Sequence, residues 1–443
     1  MFYNENKQDS GQKTIAPSAS EAQNASSNPL PSISLPRGGG AIRGIGEKFA
    51  ANPVTGTGSL TVPIYTSPGR FGFGPQLSLS YDSGAGNGPF GFGWSLALPS
   101  ITRKTEKGLP QYVDGEESDT FVLSGAEDLV PLLIESNGQW SREVSTSTVY
   151  GKQYSIHRYR PRIEGLFARI ERWMNLSDPQ DTFWRSVSRD NVTTWYGKTA
   201  ESRVADPTNP ACVFTWLICE SYDDKGNVIV YQYKQENSDG VDLSQANERN
   251  RSDVTRSANR YLKHVLYGNQ TPYFPDLTAD AAISLPTNWY FQLVFDYGEH
   301  DEQVPVPQEA QAWNCRADPF STYRSTFEIR TYRLCRRALM FHHFATEASV
   351  GLNCLVRSTD FTFAQPMPSD SINSFYTFLL SATQTGYLRK TDGSYQLSAL
   401  PPLEFTYSSA VIDETVQEVD PESLENLPYG FDGTNYRWVD LDG

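Results

Sequence analysis

Hydrophobic and polar residues alternate cleanly from Gln76 to Tyr81. Leu77, Leu79 and Tyr81 fall on one side of the chain, and Ser78 and Ser80 on the other. That period of two predicts a strand with one buried face. Similar short runs recur at close spacing, at 59–65, 94–98, 120–123, 155–159, 168–173, 183–187 and 193–196. The runs 214–222 and 228–233 flank Asp223-Asp224-Lys225-Gly226-Asn227. Gly and Asn tolerate positive φ, so this pair predicts a hairpin. Further strands are expected at 261–267, 291–297, 326–334 and 403–407, and Phe291, Leu293 and Phe295 form one apolar face. Helical periodicity is scarce. Residues 243–258 predict a short polar helix or a mobile insertion, and the acidic stretch 411–427 predicts a linker. Residues 1 to about 30 are rich in Ser, Asn, Gln and Ala without periodicity, which predicts a disordered tail.

Composition strengthens the β reading. Aromatic residues make up 13% of the 443 positions, and 33 Gly with 28 Pro punctuate short elements. Tyr, Phe and Trp suit pleated, half-buried surfaces. The expected fold class is all-β, and the length predicts two or three domain-sized units. A net charge of −15 repels phosphate backbones, so no nucleic-acid partner is expected. The five cysteines (Cys212, Cys219, Cys315, Cys335 and Cys354) include no CxxC pair and are read as free thiols, buried and made in a reducing compartment. No segment approaches the ~18 apolar residues of a membrane span, so no membrane insertion is expected. The polar N-terminus carries no apolar signal core, so synthesis in the cytoplasm is expected, and a protein of this kind that leaves its cell does so without a Sec signal peptide.

Each candidate for chemistry lacks a necessary partner. Gly86-Asn87-Gly88-Pro89-Phe90-Gly91 fits GxGxxG, but a dinucleotide loop must open a helix, and here a strand follows a Pro-interrupted loop. The expected role is a tight loop where backbone approaches closely. The five histidines (His157, His264, His300, His342 and His343) match no HExxH or Cys/His zinc spacing, and no GxSxG elbow exists. Adjacent His342 and His343 would face opposite sides of a strand. Asp440 and Asp442 fit the start of a Ca²⁺ loop or, more simply, a turn. Arg330, Arg333, Arg336 and Arg337 are candidates for docking a partner, set against internal cation–π and ion-pair networks. No catalytic, cofactor-binding or metal-binding residue is assigned, and no cofactor is expected.

Several dispersed segments resemble one family. Leu35-Pro36-Arg37-Gly38-Gly39-Gly40-Ala41-Ile42 leads to Gly44-Ile45-Gly46-Glu47, then to 77–87 and Pro89-Phe90-Gly91-Phe92-Gly93-Trp94. Tyr159-Arg160-Pro161-Arg162-Ile163-Glu164, Arg260-Tyr261-Leu262, Phe295-Asp296-Tyr297-Gly298-Glu299, Phe327-Glu328-Ile329-Arg330-Thr331 and Leu400-Pro401-Pro402-Leu403-Glu404-Phe405 follow in order. Together they are similar to the SpvB-type domain that opens the Salmonella SpvB toxin and the B components of insecticidal Tc toxin complexes. Trp438-Val439-Asp440-Leu441-Asp442-Gly443 resembles the start of an FG-GAP-type β-propeller repeat. The implied organisation is a tail over 1–32, a multi-sheet, sandwich-like SpvB-type domain over 33–407, an acidic linker over 408–430 and a truncated propeller start over 431–443.

The resemblance implies a non-catalytic structural part of a secreted toxin. In Tc complexes the B and C components form a shell around the toxic part of C, and the propeller docks on the pore-forming A component, so the implied partners are a Tc C component and a Tc A component. Two alternatives stand beside it. One is the N-terminal carrier region of an SpvB-like ADP-ribosyltransferase whose catalytic domain lies beyond this chain. The other is a carbohydrate- or surface-binding β module. Ser145-Thr146-Ser147 resembles the STS strand of arginine-directed ADP-ribosyltransferases, but the Glu-x-Glu or Gln-x-Glu that this chemistry needs occurs nowhere in the chain.

Overall fold

The computed structural model describes residues 46–51, 57–124, 128–163, 165, 167–364, 376–408 and 421–425. The expected tail (1–32), the opening motif up to Ile45, most of the expected linker and the expected propeller start with Asp440 and Asp442 lie outside the described residues.

The fold is all-β, and its ladders are antiparallel. Four strands form a front sheet: Lys48–Ala51 (β1), Gly58–Pro63 (β2), Ser78–Asp82 (β3) and Trp94–Leu96 (β4), paired in that order. The alternation at 76–81 is realised here, with Leu77 and Leu79 buried.

The next strands close on themselves. They are Ser100–Arg103 (β5), Phe121–Leu123 (β6), Asp128–Pro131 (β7), Val144–Val149 (β8), Lys152–Pro161 (β9), Arg169–Asn175 (β10), Thr182–Val187 (β11), Thr193–Tyr196 (β12) and Asn209–Tyr222 (β13). Pairings run β5–β6–β7–β9–β10–β11–β12–β13 and return from β13 to β5, giving a closed barrel of eight strands. Closure removes free edges, which sequence periodicity does not report. β8 stands outside the ring and continues the line of β7 along β9.

β13 leaves the barrel and begins a long sheet. Its partners in order are Val228–Gln235 (β14), Arg260–Asn269 (β15), Trp289–Asp296 (β16), Arg337–Phe344 (β17), Gly351–Phe363 (β18), Leu379–Arg389 (β19) and Tyr395–Ala399 (β20). The front sheet packs on this long sheet. One continuous core joins Val62, Leu79 and Trp94 to Tyr267, Phe295, Met340, Phe361 and Leu379, and runs on into the barrel through Phe121, Trp184 and Trp216. The sandwich-like expectation therefore holds for the front and long sheets, with a barrel added at one end.

Two local expectations change. Residues 326–334 contain only a short strand, Ile329–Thr331, because Thr326 has a positive φ and Tyr332 and Arg333 turn into a buried ionic cluster. Within 243–258 the helix is a single turn, Asp253–Arg256, capped by Ser252. No helix among the described residues is long and apolar enough to cross a membrane.

Candidate functional site

Charged side chains concentrate in three places, and each tests a chemical role. The first is the barrel interior. Arg103 and Arg172 project inward among Phe121, Trp184 and Trp216, with guanidinium carbons 5.2 Å (Arg103) and 4.9 Å (Arg172) from the Phe121 ring centroid. Two buried cations need compensation. The loop between β5 and β6 supplies it. Asp114 accepts from Arg103 at 2.7 and 2.9 Å and from Arg172 at 2.5 Å, and Asp119 accepts from Arg103 at 2.6 Å. Burial alone would raise the Asp114 carboxyl, but the two guanidiniums hold it well below the usual carboxylate range. The loop thus plugs the barrel mouth, and Arg142 reaches it from the following hairpin by pairing with Glu117 and His157.

The second place lies around the Arg-rich segment. Arg333 and Glu236 are both fully buried, 2.7 Å apart. All the guanidinium nitrogens of Arg333 are engaged, on Glu236, Asp239 O, Trp313 O and Asn237, over the Trp313 ring at 4.3 Å. Arg330 pairs with buried Glu248 at 2.8 Å, together with Arg256. Arg337 pairs with Asp296 through Nε at 2.7 Å. Arg336 differs. It lies 5.8 Å over Phe363, and no described residue forms an ion pair or side-chain hydrogen bond with its guanidinium. Three of the four arginines expected as docking candidates are therefore internal struts.

The third place offers metal-ligand chemistry. Asp296, Glu299 and His300 are buried and close together. Their atoms are already committed, however. Asp296 accepts from Arg337 and from the N–H groups of Gly298 and Glu299. Glu299 pairs with Lys263 and accepts from Tyr297 N at 2.7 Å, and His300 Nδ1 donates to Val306 O at 2.9 Å. Lys263 and Arg337 supply the positive charge that an ion would bring, so this is an internally neutralised cluster.

The other sequence candidates resolve as follows. Asn87–Gly88 pairs with Gly91–Phe92 in a two-stranded clasp that opens no helix. A Cβ on Gly88 would meet Trp94 O at 2.6 Å, and Gly91, at φ +95°, would meet Thr377 O at 2.9 Å. The clasp is fastened by Arg316 donating to Gly88 O and Asn87, and by Asp318 accepting from Asn87, Arg316 and Thr377. Phe90 plugs edge-on against Phe295 and Phe361. The backbone that would cradle a phosphate in a dinucleotide loop here holds protein. His342 bonds Ser67 at 2.7 Å on one face of β17, while His343 contacts Gln292 on the other. Ser145 and Thr146 lie exposed on β8. The barrel plug was not anticipated from sequence. Its signal, five acidic residues in a Gly-containing loop after Arg103, is indistinguishable from a solvated loop without the fold.

The family model described as SpvB, Salmonella virulence plasmid 65kDa B protein, matches residues 52–344. The Mono(ADP-ribosyl)transferase SpvB of Salmonella choleraesuis (strain SC-B67) is 44% identical over 322 residues, covering 71% of this chain and 51% of that protein. The chain thus spans about half the length of the curated relatives it matches. Among solved structures, the N-terminal domain of effector protein SpvB from Salmonella typhimurium strain LT2 superposes with a TM-score of 0.64 at 40% identity, over 74% of this chain and 98% of that one. TcdB2-TccC3 gives a TM-score of 0.69 at 32% identity, over 86% of this chain and 18% of that one. The Photorhabdus luminescens Tc holotoxin pore gives 0.69 at 32%, over 87% and 17%.

Proposed function

Because the chain belongs to the SpvB family, we propose that it is a non-catalytic structural domain of a secreted bacterial toxin, contributing to a shell that encloses and delivers a toxic effector. The observation that carries this is the extent of the likeness to TcdB2-TccC3, which takes in 86% of this chain, whereas the solved SpvB structure it resembles is an N-terminal domain. The chemistry agrees. Among the described residues these three buried charge clusters are neutralised from within, and the GxGxxG loop grips protein. The proposed unit spans 33–407, followed by a linker and a propeller start, with a Tc C component and a Tc A component as partners.

A second reading is favoured by the higher identity to SpvB, 44%. In it the same domain is the carrier region of an ADP-ribosyltransferase. Co-expressing the polypeptide that contains this chain with a Tc C component separates the two. A hollow two-component particle under the electron microscope is the expected result. NAD⁺-dependent labelling of a host protein by that polypeptide, without particle formation, would replace the first reading by the second.

A further inference from the structure

β8 is an unguarded sheet edge. It pairs with β9 on one side, and among the described residues no strand pairs with its other side. Its six residues, Val-Ser-Thr-Ser-Thr-Val, contain no charge and no Pro. Four of them, Val144, Ser145, Thr146 and Thr148, are exposed. Natural sheets usually blunt such edges with Lys, Pro or a bulge.

The direction of its free groups follows from the ladder. Arg158 N donates to Glu143 O, so the carbonyl of Glu143 faces β9. Antiparallel pairing alternates, so Ser145, Ser147 and Val149 face β9, and Val144, Thr146 and Thr148 present N–H and C=O outward. We propose that this edge is a self-association surface, where two copies of the chain pair β8 to β8 about a two-fold axis through Thr146. A two-fold normal to the sheet sets residues of equal parity opposite each other. Through Thr146 it places Thr146 against its own copy and Val144 against Thr148, which engages every outward group. All the facing side chains are uncharged and β-branched, so no like charges meet and cross-strand Thr contacts form.

An apolar flank lies beside the edge. The hairpin between β7 and β8 exposes Leu133 (50%), Ile134 (45%) and Trp140 (65%). Leu133 and Trp140 border an open groove of about 690 Å³ lined also by Val130, Pro131 and Arg160. Exposed apolar patches of this kind are unusual on a solitary domain. The net charge of −15 opposes association at long range, so pairing should tighten as salt screens it.

The test uses the whole chain. Light scattering across concentration should show a shift from 49.6 kDa toward twice that mass, more strongly at high salt. Thr146→Lys sets two cations at the axis and should weaken association at least about tenfold, with the circular dichroism of the fold unchanged. Directly paired Cα atoms about 5.5 Å apart lie within disulfide reach. Thr146→Cys should therefore oxidise to a covalent dimer. Thr148→Cys alone should not, and a mixture of Val144→Cys with Thr148→Cys should. A chain that stays monomeric at every salt and concentration overturns the proposal. So does equal cross-linking at 146 and 148, or protection of the β8 amides from hydrogen exchange only when a different polypeptide binds.

Discussion

Arg333 and Arg336 are three positions apart and meet opposite fates. The Arg333 guanidinium is buried, its donors all used and its charge matched by Glu236. Removing one member of such a pair strands the other charge in the interior. Arg333→Ala should cost about 3–5 kcal/mol, read as a lower urea midpoint at unchanged slope. Arg336→Ala removes a guanidinium that holds no ion pair among the described residues, and should cost less than about 1 kcal/mol in the same assay. Equal costs would contradict the assignment of roles. The glycine clasp is as specific. Gly91→Ala combines a positive φ with a contact at 2.9 Å on Thr377 O, and should destabilise by roughly 1–3 kcal/mol. NAD⁺ should have no effect on the melting temperature of either protein.

At the scale of elements, β7 and β8 behave as one strand interrupted by an insertion. Pro131 lies opposite Tyr159 and Val144 opposite His157, so a single residue fits between them, opposite Arg158. Leu132 N and Glu143 O already share that place, bonding Arg158 O and N. The intervening hairpin, Leu133–Ser136 with Gln139–Arg142, pairs only with itself among the described residues. Deleting 133–143 while keeping Leu132 should therefore leave one continuous strand in register. The expected outcome is a folded protein with native far-UV circular dichroism and a stability loss below about 2 kcal/mol, from the lost Arg142 contacts and the lost Glu143–Arg158 ion pair. Loss of the folded state would show that the hairpin is part of the barrel.

Over the whole molecule, burial sets an acid limit. Burial, and then the nearby charges of Arg142 and Lys263 respectively, push His157 and His264 down to about 4. The folded protein keeps these rings neutral, while the unfolded chain protonates them below about 6.5. The unfolded state therefore binds more protons between those limits, and stability falls as pH drops from about 6.5 to 4. Asp114 has a lowered folded pKa, so its contribution is present above the unfolded carboxylate range and is lost only as pH falls below about 4. The unfolding free energy from urea titrations should decline from pH 7 to 4.5, by on the order of 1–3 kcal/mol per histidine. His264→Gln should flatten part of that slope, and an unchanged slope would remove His264 from the account.

Much of the strand content was legible in the residues. Leu77 and Leu79 alternate with serines because one face of β3 meets the core and the other meets water. The turn Asp223–Asn227 marked the β13–β14 hairpin through its Gly and Asn. β17, β18 and β19 were not legible. They are covered on both faces: Leu339 and Phe341 serve one cluster and Ala338 and Met340 another, so no alternation survives in Arg337–Phe344. The resemblance to the SpvB-type domain was carried by glycines and aromatics whose backbone demands are local, and the clasp at 86–92 is one of them. What the sequence determined by itself was the β class and the acid charge, because these depend on residue types and near neighbours. Only the tertiary structure decided that eight strands close into a barrel, that Asp114 neutralises Arg103 and Arg172 within it, and that Arg333 is a strut while β8 has one partner strand among the described residues. Those outcomes rest on pairings between residues far apart in the chain, and strand period carries no record of which partner a strand finds.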